Sequence, residues 1–187
     1  MPGFDHEEDL REKMLSSEEI FRGRVMHVFR DRIALSGGRT GERELLRHIG
    51  AVCIVPLTDK GEVVLERQFR YAPGLVLTEI PAGKLDSPEE DRLAAARREL
   101  SEETGYLAEE WIDLGDFYPA PAYSDERITL FLARGLRRGP QHLDADETLH
   151  IFTLPLKDAL EEVAAGRIPD AKTQMALLRT AQFLRGE

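Results

Sequence analysis

The chain predicts an α/β protein in which a mixed sheet packs between helices, with an antiparallel sheet added at its N-terminal end. Three observations predict it. Apolar runs of strand length, Ala51 to Leu57 and Val63 to Phe69 among them, are bounded by turn residues and interleave with segments of helical spacing. One internal stretch, Ser87 to Gly105, carries both start and stop signals of a helix. The C-terminal part repeats apolar residues at helical spacing on either side of a break at Gly166 to Asp170. Strands that alternate with helices bury their apolar faces by stacking in layers.

In order, residues 5 to 15 are acidic and weakly helical. From Ile20 to Leu35 apolar residues stand among polar neighbours, then come a Ser36-Gly37-Gly38 turn and an extended piece around Glu42 to His48, together an antiparallel sheet. Thr58-Asp59-Lys60-Gly61 between the two apolar runs is a hairpin signal. In the helix, Ser87 is the expected N-cap, Pro88 the first helical residue and Glu90 the third, and Gly105 supplies the left-handed residue at the end. Strands follow at Trp111 to Tyr118, Arg127 to Leu132 and Leu149 to Leu154, with a Pro-rich loop at 119–126 and an acidic loop at 138–147. Helices are expected at Leu156 to Ala165 and Ala171 to Leu184, the second capped by Asp170. The organisation is an arm and sheet over residues 1–48 and a main domain over 49–187.

Bulk properties narrow the function. With 42% hydrophobic and 32% charged residues the chain has the make-up of a globular protein, and a net charge of −10 argues against a nucleic-acid surface. The single Cys53 lies in an apolar run, so a buried thiol is expected and no intrachain disulfide, which is compatible with a cytoplasmic protein. No basic start followed by an apolar core is present, nor a run of eighteen apolar residues, so neither a signal peptide nor a membrane partner is expected.

The stretch Gly83 to Tyr106 carries the chemistry. Glu99, Glu102 and Glu103 stand at i, i+3 and i+4 of the expected helix and share one face. In an arbitrary helix such a face is solvated, with Arg98 pairing Glu102 at i+4. The same face also suits a hard divalent cation, which needs several carboxylate oxygens on a rigid element.

The order of the whole stretch decides between them. Gly83, Glu90, Arg98-Glu99, Leu100, Glu102-Glu103 and Gly105 resemble the Nudix box, with Tyr106 in place of its final aliphatic and one extra residue in the loop between Gly83 and Glu90. Glu90 reads equally as a capping-box acid. From about Ile20 onward the chain resembles the ADP-ribose pyrophosphatase branch of that superfamily: Glu79-Ile80-Pro81-Ala82-Gly83 precedes the box, Pro121 lies sixteen residues after Gly105, and Gly166-Arg167-Ile168-Pro169-Asp170-Ala171-Lys172-Thr173 is similar to a C-terminal segment of these enzymes, read here as structural.

The resemblance implies a Nudix-type α/β/α sandwich with a mixed sheet plus the N-terminal antiparallel sheet, and a homodimer with residues 1–48 in its interface. It implies hydrolysis of ADP-ribose to AMP and ribose 5-phosphate with Mg²⁺, or Mn²⁺ in its place. By motif position Glu99, Glu103 and the main-chain carbonyl of Ala82 are metal ligands, and Glu102 either ligates or holds Arg98. Arg67, Arg70, Glu79 and Pro121 are the expected substrate contacts, guanidinium groups being suited to phosphate. Glu147 is the expected general base, with Glu126 and Glu102 as rivals. Another nucleoside-diphosphate sugar such as GDP-mannose is the alternative substrate. A non-catalytic domain that senses a nucleotide metabolite is the alternative of another class, against which the intact Glu99, Glu102 and Glu103 argue.

Overall fold

The computed structural model describes residues 10–143 and 148–186. They fall into two compact units, one of residues up to 48 with 120–126, the other of 49–119 with the residues from 127 on.

In the first unit, β1 (Lys13–Arg22), β2 (His27–Ala34) and β3 (Thr40–Leu46) form an antiparallel sheet in chain order. The expected turn at Ser36 to Gly38 is present, with Gly37 and Gly38 at φ 74° and 76°. The weak helix expected over 5–15 is not formed over 11–15: residues 13–15 belong to β1, Leu10 stands in a 3-10 turn, and 5–9 lie outside the described residues. Cross-strand pairing, Met14 opposite Ile33, overrides a weak local preference. Segment 120–126 joins this unit through Leu46 N donating to Tyr123 O at 2.8 Å and His48 N to Asp125 Oδ1 at 2.7 Å.

The second unit contains β4 (Ala51–Pro56), β5 (Glu62–Arg70), β6 (Leu75–Glu79), β7 (Ala82–Lys84), α1 (Arg92–Thr104), β8 (Tyr106–Phe117), β9 (Ile128–Arg138), β10 (Leu149–Pro155), α2 (Leu156–Ala164) and α3 (Ala171–Gly186). Two sheets share them: a mixed one in the order β7-β4-β9-β8, with β4 and β9 parallel, and an antiparallel one in the order β10-β5-β6. Strand β4 explains the layering. Its side chains alternate between faces, so Val52 and Ile54 pack with Ala95, Ala96 and Leu100 of α1, while Cys53 and Val55 pack with Ala159 of α2 and Ala176 and Leu177 of α3. Helices thus cover both faces, the expected α/β/α sandwich.

Three local expectations change. The turn after β4 is real, Gly61 N donating to Thr58 O at 2.9 Å, but the pairing stops at the isolated Leu57–Val63 bridge beside it and β4 and β5 do not continue as a hairpin. Both edges of β4 are taken, by β9 and β7, which leaves β5 to centre the second sheet. Strand β8 starts at Tyr106 rather than Trp111 because Gly105 ends α1 in the left-handed region (φ 66°) and turns the chain directly onto β9, with Tyr106 opposite Arg138. Helix α1 starts at Arg92, four residues past the expected Pro88.

Candidate active site

The late start of α1 redirects two acids. Asp91, in extended conformation, is the N-cap: its Oδ1 accepts from Ala94 N at 2.8 Å. Ser87 to Glu90 instead form a turn, with Glu90 N donating to Ser87 O at 3.2 Å. Glu90 closes the loop by accepting from Asp86 N at 2.6 Å, not from a helix terminus, so it is not the acid of a capping box. That backbone contact, with Arg98 nearby, holds its carboxyl below the usual range despite the opposing effect of desolvation.

Arg98 is the hub of the acidic face. Its Nη1 donates to Glu99 Oε1 at 2.7 Å and to Glu102 Oε2 at 3.1 Å, its Nε lies 3.4 Å from Glu90 Oε1, and its Nη2 donates to Lys84 O at 3.2 Å. Burial alone would lower its pKa; the surrounding Glu99, Glu90 and Glu102 hold it above the ordinary value. The pairing with Glu102 expected for a solvated surface is present, but it is one contact of a converging set.

Glu99 and Glu103, one turn apart, point inward and are 9% and 4% exposed. They meet the short strand β7, held in register by β4, with Cys53 opposite Ala82 and Val52 opposite Gly83. Ala82 N donates to Glu103 Oε2 at 3.0 Å. At Gly83 an added Cβ would lie 2.0 Å from the Glu99 carboxylate, so the turn admits that carboxylate only because the position has no side chain. Among the described residues no group of three or more His, Cys, Asp and Glu side chains is arranged to hold a metal ion; Glu99 and Glu102 close on the Arg98 guanidinium instead. The donor set still fits a hard divalent cation, because Glu99 and Glu103 bring carboxylate oxygens from one rigid helix to a backbone turn that a side chain would block.

The expected substrate contacts are less united. Glu79, at the end of β6, is 1% exposed and is gripped by Arg70 through Nε and Nη2, both at 2.8 Å, and by Lys172. Burial would raise its pKa, but Arg70 and Lys172 outweigh that and lower it. Arg67 and Arg70 are three apart on β5, and the two-residue period sends them to opposite faces of the sheet. Arg67 is exposed and stands over the Phe152 ring, 5.5 Å from its centroid. Pro121 is exposed in the first unit. Glu147 lies outside the described residues, while Glu126 is half-buried in the first unit, with its carboxylate 3.9 Å from His48 Nε2.

Two features were missed in the sequence. The stem of the acidic loop caps the end of α1: Gln141 Nε2 donates to Glu103 O at 2.6 Å, His142 N to Glu102 O at 3.1 Å and Gly139 N to Gly105 O at 2.8 Å. Its only signal was the Gly139-Pro140 turn directly after a strand. The other is Lys172, whose partner Glu79 lies 93 residues away.

Comparison with known proteins places the chain. Residues 46–175 match the family model described as NUDIX domain. The chain is 38% identical to an ADP-ribose pyrophosphatase of Bacillus subtilis over 170 residues, 90% of this chain and 91% of that protein. It is 39% identical to a methanol dehydrogenase activator of Bacillus methanolicus, covering 89% and 90%. A GDP-mannose pyrophosphatase of Cronobacter sakazakii is 35% identical, covering 68% and 71%. A crystal structure of an ADP compounds hydrolase superposes with a TM-score of 0.85 at 26% identity, covering 94% of this chain and 95% of the other.

Proposed function

The chain belongs to the Nudix family, and from that premise we propose that it is a metal-dependent pyrophosphohydrolase that splits ADP-ribose and water into AMP and ribose 5-phosphate. The observation that carries the reading is the buried carboxylate pair Glu99 and Glu103 set against the bare Gly83 turn, in a chain that matches an ADP-ribose pyrophosphatase over nine-tenths of its length. The GDP-mannose pyrophosphatase of Cronobacter sakazakii matches over a smaller share, but another, of Pectobacterium atrosepticum, is 36% identical over 90% of this chain, so GDP-mannose stays the alternative substrate.

Glu99, Glu103, Glu102 and the carbonyl of Ala82 are the residues that would hold a divalent cation, Mg²⁺ first and Mn²⁺ as a substitute. Such a cation supplies charge neutralisation on the diphosphate oxygens and a lowered pKa for water. Arg98 keeps Glu99 and Glu102 together on one face, a role its two short hydrogen bonds support. In hydrolysis the water oxygen bonds to one phosphorus as the bridging P–O bond breaks, and the bridging oxygen leaves with the other phosphate. Glu147 takes the proton from that water. In support, the stem leading into its loop is tied to the turn of α1 that carries Glu102 and Glu103.

For the substrate, Arg67 offers an exposed guanidinium beside an aromatic ring. Arg70 has its Nε/Nη2 edge on Glu79, so its phosphate contact falls to Nη1. Glu79 and Pro121 complete the proposed contacts. A homodimer with residues 1–48 in the interface is supported by β1, which is exposed along its whole length and presents Met14, Leu15, Ile20 and Phe21. A cytoplasmic setting fits the single buried thiol, and the net charge of −10 favours a small-molecule partner over nucleic acid. No helix among the described residues is long and apolar enough to cross a membrane.

Incubation with Mg²⁺ and a panel of nucleoside diphosphate derivatives tests the reading. AMP and ribose 5-phosphate formed faster from ADP-ribose than any product from the others is the expected result. Preference for GDP-mannose overturns the substrate, and nucleotide binding without any hydrolysis turns the protein into a sensor.

A further inference from the structure

The turn that faces Glu99 and Glu103 is held from behind as well as in front. Ile80 N donates to Thr173 Oγ1 at 3.0 Å, and Thr173 is fully buried. The neighbouring Lys172 Nζ pairs with Glu79 and lies 3.1 Å from Asp170 Oδ2. Asp170 Oδ2 also accepts from Thr173 N at 2.9 Å and Thr173 Oγ1 at 2.6 Å, which caps α3 and fixes the hydroxyl so that its lone pair meets Ile80. Two consecutive residues of α3, Lys172 and Thr173, therefore grip two consecutive residues of the strand end, Glu79 and Ile80. The next residues are held from other directions: Pro81 O accepts from Ile54 N at 2.9 Å, and Ala82 N donates to Glu103.

Resting on the functional reading above, we infer that Lys172 and Thr173 are positioning residues for hydrolysis: through Glu79 and Ile80 they fix the Pro81-Ala82-Gly83 turn against Glu99 and Glu103. The chemistry of the grip is specific. Thr173 Oγ1 accepts the Ile80 N–H, and an apolar residue of the same shape takes that acceptor away from a buried donor. Lys172 is 13% exposed and supplies the second cation for a carboxylate that Arg70 already holds by two hydrogen bonds. Its loss leaves Glu79 anchored on one side only, free to follow Arg70 and draw the strand end with it. Errors of about an ångström in such a turn cost on the order of a hundredfold in rate.

The experiment compares Thr173→Val, Thr173→Ser, Lys172→Met and Lys172→Arg with the parent by amide hydrogen exchange and steady-state kinetics with Mg²⁺ and ADP-ribose. Thr173→Val and Lys172→Met are expected to speed exchange of the Ile80 and Ala82 amides at least tenfold while those of β8 and β9 keep their protection. In Thr173→Val kcat falls about tenfold or more with KM within twofold of the parent, because the change acts on the reacting turn. Thr173→Ser and Lys172→Arg restore both. Unchanged exchange at Ile80 and Ala82, exchange that rises equally across β8 and β9, or kcat unaffected in Thr173→Val would each overturn the inference. A parent inactive on ADP-ribose overturns the functional reading and the catalytic half of this one, whereas local exchange still decides whether the grip exists.

Discussion

Replacing Gly83 by Ala tests the site most directly, since it adds one methyl group at one point. The new Cβ would fall 2.0 Å from Glu99 Cδ and Oε1 and 2.3 Å from Oε2, against an ordinary contact of 3.4 Å, so the carboxylate must retreat by about 1.4 Å. That carboxylate ends a flexible side chain, so most of the overlap is relieved by rotation and the stability loss is at the low end for overpacking, about 1 kcal/mol. Rate responds differently. If Glu99 is the ligand proposed, a displacement of more than about 1 Å costs on the order of a hundredfold in kcat, roughly 2.7 kcal/mol of transition-state stabilisation. The assay pairs kcat at saturating Mg²⁺ and ADP-ribose with a urea melt, and Gly186→Ala, which meets nothing within 4 Å, serves as the control. Turnover of Gly83→Ala within threefold of the parent would refute the claim that Glu99 must occupy the space beside this turn.

Other outcomes follow from the same geometry. Glu147→Gln should lower kcat by about 10²-fold or more with little change in the melt, and turnover within a few-fold of the parent removes Glu147 from the mechanism. Glu79, whose carboxyl is held below its ordinary value by Arg70 and Lys172 against the pull of burial, gives a pH test. Between its folded and unfolded pKa values the unfolded state binds more protons, so its contribution is complete above the ordinary carboxylate range of about 4.3 and lost as pH falls through the lower folded value. Glu79→Gln should therefore flatten the acid limb of stability in denaturant melts taken from pH 5 downward, and parallel limbs in variant and parent contradict the assignment. Gln141→Ala frees the Glu103 carbonyl at the end of α1 and should cost about 1 kcal/mol in stability and a several-fold loss of kcat. An unchanged kcat would detach the loop stem from the chemistry.

What was legible in the sequence was local, and what was not was a matter of competition and distance. Glu99, Glu102 and Glu103 were legible as a shared face because helical spacing fixes it whatever surrounds the helix. The start of α1 was not, because Ser87 and Asp91 are both good caps and only the tertiary use of Glu90 by Asp86 and Arg98 selects the later one. The Thr58 to Gly61 turn was legible, but its strands went to separate sheets once β9 and β7 had claimed both edges of β4. Arg67 and Arg70 were both expected at the substrate, and strand parity sends them to opposite faces of the sheet. The grip of Lys172 and Thr173 on Glu79 and Ile80 spans 93 residues, a separation over which no periodicity carries information.

The position of Cys53 in β4, covered by helices on both faces, makes the thiol a clock for the whole fold. Burial pushes its pKa up to about 12, so at neutral pH almost none of it is the reactive thiolate, and no solvent path reaches the sulfur. A thiol reagent can therefore label the native protein only through an opening that separates β4 from α2 and α3. Where labelling outpaces reclosure, its rate is the unfolding rate of the domain core. The same shielding lets the enzyme pass through oxidising conditions with its one thiol intact, and a sulfenic acid at Cys53 would mark molecules that have already unfolded once.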